Sequence, residues 1–106
     1  AADLLARWLA AQKGARDISD HTVKAYRADV SAYLGFLTNH TGGPVGRTAL
    51  GQVSPRDMRS WMARLRADGL SARSAARALS AVKGFYRWLG EAEGIDAPAI
   101  MSARAP

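Results

Sequence analysis

Residues 71–90, SARSAARALSAVKGFYRWLG, carry four basic side chains and no acidic one. Wound at about 100° per residue, the stretch forms a helix whose apolar side chains fall on one arc. This apolar arc consists of Ala75, Ala78, Leu79, Val82, Phe85, Tyr86 and Leu89. The opposite arc consists of Arg73, Arg77, Ser80, Gly84 and Arg87, with Lys83 at its edge. The stretch therefore predicts an amphipathic helix that packs its apolar arc into a core and directs its bases away from it.

The opposite arc combines positive charge with small residues. Ser80 and Gly84 lie between the arginines, and small side chains let a helix approach another backbone closely. A glycine inside a helix costs roughly 1 kcal/mol relative to alanine, so Gly84 invites such an explanation, with a neutral accident as the alternative. A helix that is merely solvated usually carries acid–base pairs four residues apart, and this stretch has none. The pattern favours a surface that binds an anionic partner.

A second helix of the same kind is predicted from Asp20 to about Asn39. Its apolar arc consists of Val23, Tyr26, Val30, Tyr33, Leu34 and Leu37. The other side holds Lys24, Arg27, Ala28, Ser31 and Gly35. Asp29 projects away from these residues. The major groove of B-form DNA is about 12 Å wide and accepts one helix, so two basic helices suit one duplex, although a solvated surface explains the second helix equally well.

Three serines predict helix starts, because each follows an apolar residue and can accept a hydrogen bond from a free backbone amide. They are Ser19, Ser54 and Ser71. Pro55 and Asp57 strengthen the middle start, which predicts a helix to about Ala67 and a stop at residues 68–69. The arginines of this helix are partly matched by Asp57 and Asp68, so we predict that it serves packing rather than specific contact.

The remaining segments complete an all-α prediction with four helices. A first helix is predicted from Asp3 to Gln12, with Gly14 as its stop. The segment 39–53 is predicted to be non-helical apart from a short turn near residues 47–50. Residues 95–106 contain two prolines and little to pack, which predicts a linker. No stretch shows the strict alternation of a half-buried strand.

Composition narrows the possible functions. The 106 residues suffice for one domain, and no apolar run is long enough for a membrane span or a secretory signal, so we expect a soluble, cytoplasmic protein. The chain has no cysteine, and His21 and His40 have no ligand pattern around them, so no metal or other cofactor is expected. No nucleophile–base arrangement or phosphate-binding loop is visible. The net charge of +6 suggests an anionic partner.

Three stretches together resemble a known family. SDHTVKAYRADVSAYLGFL, residues 19–37, is similar to the second helix of the amino-terminal, core-binding domain of tyrosine recombinases. GLSARSAARALSAVKGFYRWLGEAEGI, residues 69–95, resembles the last long helix of that domain, and VSPRDMRSWMARL, residues 53–65, resembles the helix between them. The resemblance spans roughly residues 1–100 and is nearest the Xer subfamily, in its XerC branch.

This resemblance implies a four-helix SAM-like orthogonal bundle over residues 1–94, followed by a linker, 95–106, towards a separate catalytic domain. In the family the two domains form a clamp around half of a recombination site, with the second and fourth helices towards the major groove. The implied partners are double-stranded DNA and a second recombinase subunit, with no membrane. The implied DNA-binding residues are Lys24, Arg27, Ser31, Arg73, Arg77, Ser80, Lys83 and Arg87.

The resemblance implies no catalytic residue in this chain. The catalytic arginines, the His-x-x-Arg motif and the nucleophilic tyrosine of the family belong to the other domain. Here His21 is followed three positions later by Lys24, and His40 by Gly43, so neither fits that motif. Strand cleavage is attributed to the parent protein only, and this fragment is not expected to be an enzyme.

Three functions follow as hypotheses. The first is the DNA-binding domain of a recombinase that resolves chromosome dimers at a dif-type site. The second is an integrase domain of the phage or integron type, which shares the bundle. The third is a helical protein-interaction module whose basic face meets an acidic partner, which predicts no preference for a duplex and weak dependence on Ser80 and Gly84.

Overall fold

The computed structural model describes residues 1–105, apart from the side chain of Arg16, and this part of the chain is all-α. Its helices are α1 Ala2–Arg16, α2 Asp20–Thr41, α3 Arg47–Gly51, α4 Pro55–Ala67, α5 Ala72–Glu93 and α6 Pro98–Ser102. The four long helices are the four predicted ones, and α3 is the predicted short turn. No helix within residues 1–105 is long and apolar enough to cross a membrane.

All three predicted serine caps are confirmed. The hydroxyl of Ser19 accepts a hydrogen bond from the amide of Thr22, and Ser71 starts α5 in the same way. Ser54 and Asp57 form a reciprocal capping box, in which each side chain accepts a hydrogen bond from the backbone amide of the other residue. These bonds satisfy amides that the first turn of a helix leaves free, which is why the starts could be predicted.

Two predicted helix ends are too early. Helix α1 continues through Gly14 and ends at Arg16, and its capping residue Asp17 adopts the left-handed conformation with φ 49°. Helix α2 continues beyond Asn39 and ends at Thr41, where Gly42 caps it with φ 81°. A glycine ends a helix where the chain turns left-handed after the last turn, whereas Gly14 keeps helical geometry at a modest energetic cost.

The core lies where α1, α2, α4 and α5 meet. Its largest fully buried side chains include Trp8, Tyr33, Trp61 and Phe85. The hydroxyls of Tyr33 and Tyr86 lie 2.8 Å apart, and Tyr86 donates to the carbonyl of Leu50 at 3.0 Å. This chain of hydrogen bonds joins α2, α5 and α3 inside the core. Burial raises the pKa of Tyr33 and raises that of Tyr86 to about 12, so both rings are neutral.

The C-terminal segment packs more than predicted. Ile95, Ala97 and Ile100 are buried, and α6 contacts both α4 and α5. The expectation that residues 95–106 have little to pack is therefore wrong as far as Ile100. The chain reverses at Gly94, where the amide of Ile95 donates to the carbonyl of Leu89, and this turn brings the apolar residues back onto the core. Continuation into a catalytic domain stays a prediction, and Pro106 lies outside the described residues.

Candidate nucleic-acid interface

The outer face of α5 presents its bases to solvent as predicted. Arg73, Arg77, Ser80 and Arg87 are exposed, and Lys83 is partly buried. Among the residues that the structure describes, Arg73 and Arg87 have no acidic side chain within ion-pair distance. Helix α5 therefore offers two uncommitted guanidinium groups that lie roughly 21 Å apart along its axis.

Arg77 differs from Arg73 and Arg87 because an acidic side chain from another helix holds its guanidinium group. Its Nε and Nη2 both donate to the carboxylate of Asp29 in α2, each over 3.0 Å. Asp29 is only 8% exposed, and among the described residues it is the one charged residue that is buried. Hydrogen bonding to Asp29 raises the pKa of Arg77. The sequence correctly predicted that Asp29 points away from the basic side of α2, but gave no sign that it reaches Arg77.

The predicted DNA-binding residues of α2 lie on a different side of that helix from Asp29. Lys24, Arg27 and Ser31 are exposed, and Ser31 lines a groove with the beginning of α1. Asp29 and Ser31 are two residues apart, which places them about 160° apart around the helix axis. Across residues 1–105, no hydrogen bond or ion pair that the structure describes joins Lys24, Arg27 or Ser31 to α5. The structure thus brings Asp29, rather than these three residues, to the basic residues of α5.

Gly84 faces a side chain of α1, and its close approach to a partner stays a prediction. A Cβ atom at this position would lie 3.5 Å from Cζ2 of Trp8, a side chain of α1. Ser80, Gly84 and Arg87 line a groove of about 310 Å³ between α1 and α5, together with Trp8 and with Tyr26 of α2. The separation of 3.5 Å is an ordinary van der Waals distance, so the indole leaves room for a methyl group and does not require a glycine here. Trp8 Nε1 is buried there and has no hydrogen-bond partner in the described part of the chain.

Helix α4 forms a second basic surface that sequence reasoning missed. Asp57 is occupied by Ser54 and His40, and Asp68 pairs only with Arg64 among the residues that the structure describes. The hydrogen bond from the Ser54 amide lowers the pKa of Asp57. Three arginines of α4 therefore lack an acidic partner among the described residues: Arg56, Arg59 and Arg66. The signal was available, because the acid of a capping box is already engaged by the backbone.

An apolar groove of about 390 Å³ separates α4 from α6. Its lining includes Met58, Met62 and Ala99, with basic side chains around it. These bases are Arg59, Arg66 and Arg104. Met101, on α6, is 42% exposed. This surface differs from that of α5 because it joins positive charge to apolar area.

Two further arginines are structural. Glu93, at the end of α5, accepts hydrogen bonds from Arg7 of α1 and from Arg47 of α3, each with a shortest distance of 2.7 Å. Arg47 also donates to the backbone carbonyl of Glu93. These hydrogen bonds hold the pKa of Glu93 at about 2. The carboxylate side chain is only 11% exposed, and this acid forms a junction between three helices.

Residues 5–93 match the family model described as phage integrase, N-terminal SAM-like domain. The chain belongs to this family. It is 38% identical over 100 residues to the tyrosine recombinase XerC of Rhodospirillum centenum, covering 94% of this chain and 28% of that protein. It is 37% identical over 108 residues to the XerC of Brucella suis, covering 99% of this chain and 34% of the relative.

A third relative, the XerC of Methylobacterium nodulans, is 39% identical over 101 residues, covering 95% of this chain and 31% of the relative. The chain thus spans about a third of the length of these curated relatives. No solved structure is a significant match. The resemblance to tyrosine recombinases and the SAM-like fold are both confirmed, and the chain is a tyrosine recombinase N-terminal domain with XerC homologues.

Proposed function

We propose that this chain is the DNA-binding domain of a XerC-like tyrosine recombinase that resolves chromosome dimers at a dif-type site. The observation that carries the proposal is the outer face of α5, where Arg73 and Arg87 are exposed and lack an acidic partner among the described residues. Arginine is the side chain best suited to planar, bidentate contact with phosphates and guanine edges. The relatives' printed name, tyrosine recombinase, supports a DNA substrate.

In this proposal α5 approaches the major groove, and its arginines and Lys83 contact phosphates that flank it. Ser80, exposed between Arg77 and Arg87, donates to a phosphate or a base edge. Lys24, Arg27 and Ser31 reach the duplex from a separate side of α2. Strand cleavage belongs to the catalytic domain of the parent protein, which acts in the cytoplasm with a second recombinase subunit.

The first experiment measures binding of the 106-residue chain to duplex DNA by fluorescence anisotropy at several salt concentrations. One duplex carries a dimer-resolution half-site, and a scrambled duplex has the same length and composition. With four to five phosphate contacts, log affinity plotted against log salt should have a slope of about −4. A steep slope with half-site preference supports the full proposal, a steep slope without preference supports DNA binding alone, and a flat slope contradicts both.

Charge reversal on two helices identifies the face that binds. Arg73→Glu on α5 should lower affinity by about tenfold or more, because it removes one phosphate contact and adds repulsion. Arg59→Glu on α4 is the matched control, since Arg59 is also exposed and also lacks an acidic partner in the described chain. Equal losses from the two variants would contradict the assignment to α5. Thermal unfolding of both variants checks that the fold is intact.

The groove between α4 and α6 favours a second candidate function, a protein-interaction module. Its apolar lining and surrounding arginines suit an acidic, amphipathic partner better than a uniformly charged backbone. This candidate predicts the reverse result in the same experiment. DNA affinity would be weak and insensitive to Arg73→Glu.

A further inference from the structure

We propose that Asp29 is a positioning residue for DNA binding, which fixes the guanidinium of Arg77 in an orientation that a phosphate can use directly. The inference rests on the proposed function and adds an acidic residue to a basic site. Charge alone would make an acid beside a DNA-binding helix unfavourable. The geometry of the ion pair indicates the opposite effect.

The ion pair is asymmetric in its exposure to solvent. The side chain of Asp29 is 8% exposed, whereas that of Arg77 is 57% exposed. Both carboxylate oxygens are used, Oδ2 by Nε and Oδ1 by Nη2 of the arginine. The acid therefore lies beneath the surface, and the base stands above it with one edge of its plane anchored.

The anchored arginine keeps most of its hydrogen-bonding capacity. A guanidinium has five N–H donors, and Asp29 accepts from two of them, which leaves three. The remaining donors belong to Nη1 and to the second hydrogen of Nη2, on the edge that faces away from the carboxylate. That edge is directed to solvent, because the carboxylate is the buried member of the pair.

Anchoring changes what binding requires of Arg77. An unattached arginine such as Arg73 or Arg87 loses side-chain freedom when it contacts a phosphate. Arg77 has already lost that freedom on folding, and it stays charged whether or not Asp29 is present. Asp29 therefore acts through orientation, and its own negative charge is largely compensated by the arginine that it holds.

The test uses a substitution for which the charge effect and the positioning effect predict opposite changes in DNA affinity. Asp29→Asn has nearly the same shape and removes one negative charge. If positioning dominates, affinity for a duplex should fall about three- to tenfold, because the second acceptor oxygen is lost and the guanidinium is released. If only charge matters, affinity should rise.

Asp17→Asn is the matched control. Asp17 is an exposed acid at the end of α1 for which the structure describes no side-chain hydrogen bond, and asparagine tolerates its left-handed φ of 49°. This variant removes the same charge without touching Arg77. We expect its affinity to equal or slightly exceed that of the unchanged chain. A gain of the same size for Asp29→Asn would overturn the inference while leaving the proposed function in place.

A double-mutant cycle shows whether Asp29 acts through Arg77. In an Arg77→Ala background, Asp29→Asn should no longer weaken binding, because there is no guanidinium left to orient. An equal loss in both backgrounds would overturn the inference in favour of a general structural role. Arg77→Lys, which keeps the charge but loses the planar fork, should bind about as weakly as Arg77→Ala; affinity equal to the unchanged chain would also overturn the inference.

An independent measurement on the free protein follows the Nε–H group of Arg77 by NMR. Its proton should exchange slowly with water in the unchanged chain and rapidly in Asp29→Asn. Rapid exchange in both proteins would mean that the arginine is not held, which overturns the inference without any DNA. A flat salt dependence in the unchanged chain would instead overturn the proposed function itself, so the two failures are distinguishable.

Discussion

The two ends of helix α5 use arginine in opposite ways. Near its beginning the helix supplies arginines to solvent, and a buried acid from α2 holds Arg77 by one edge. At its end the helix supplies the acid, Glu93, and two arginines from other elements close over it. Each of these arginines uses two of its five N–H donors, but Asp29 holds one arginine whereas Glu93 holds two. Equal formal charge thus gives a pair of one acid and one base at one end, and a junction of one acid with two bases at the other.

The two ends of α5 differ in the number of arginines that each carboxylate holds. One carboxylate facing one arginine compensates its charge but leaves a donor edge free, as at Asp29. One carboxylate shared by two arginines, as at Glu93, has its oxygens satisfied from both sides and ties three helices together. The net charge of +6 cannot distinguish these cases, because both kinds of arginine enter the sum equally.

The largest expected effect is a difference in thermal stability between variants at the two ends of α5. Replacing Arg7 and Arg47 together by alanine strands the mostly buried carboxylate of Glu93 and should lower the midpoint of thermal unfolding by on the order of 10 °C. Arg73→Ala, at the other end of the helix, removes an exposed side chain without an acidic partner in the described chain and should leave the midpoint nearly unchanged. Circular dichroism melting curves of both variants measure the difference. Similar midpoints would mean that the Glu93 junction contributes no more than a surface arginine.

The loss of folding stability at low pH gives a second test of the role of Glu93. Arg7 and Arg47 lower the folded-state pKa of Glu93 from 4.5 to about 2, so its contribution to stability is complete above 4.5 and is lost as the pH falls towards 2. Glu93→Gln should reduce stability at pH 7 and flatten its decline between these pH values. The remaining decline comes from acids such as Asp20 and Asp57, whose pKa values are lowered by hydrogen bonds from Lys13 and from the Ser54 amide. Urea unfolding from pH 7 to pH 2 measures this, and an unaltered decline would contradict the assignment.

The smallest expected effect concerns the middle of α5. Gly84→Ala adds a methyl group at an ordinary contact distance, 3.5 Å, from the ring of Trp8. The gain in helix propensity should stabilise the chain by about 0.5 kcal/mol and leave DNA affinity within twofold of the unchanged value. Denaturant unfolding and anisotropy measure the two quantities. A clear loss of affinity with unchanged stability would show that a DNA backbone approaches this glycine after all.

Much of the fold could be predicted because its signals are local. The serine caps and the apolar arcs of α2, α4 and α5 depend on residues within one or two turns of each other. The prediction failed where a segment depends on distant partners. Ile95 and Ile100 are separated by polar and small residues, so no helical or strand period predicted that they join the core.

The candidate site was predicted less completely. The bases of α5 lie on its outer face as predicted, and the separation of Asp29 from the basic side of α2 is also correct. For Gly84 the sequence left close approach to a partner and a neutral accident open, and the structure adds an ordinary contact with Trp8. The arginines of α4 were predicted to be partly matched by Asp57 and Asp68; Arg64 does pair with Asp68, but the capping box and His40 occupy Asp57. That these residues contact DNA stays a prediction.

The sequence by itself determined the helices, their starts, the side of each helix that enters the core, and the family, because periodicity and capping act over a few residues. Only the tertiary structure decided which charged side chains form ion pairs with each other. The decisive ion pairs join residues 48 positions apart for Asp29 and Arg77, 46 for Arg47 and Glu93, and 86 for Arg7 and Glu93. An acid neutralises whichever base the packing of helices brings to it, and a linear charge pattern carries no record of that packing.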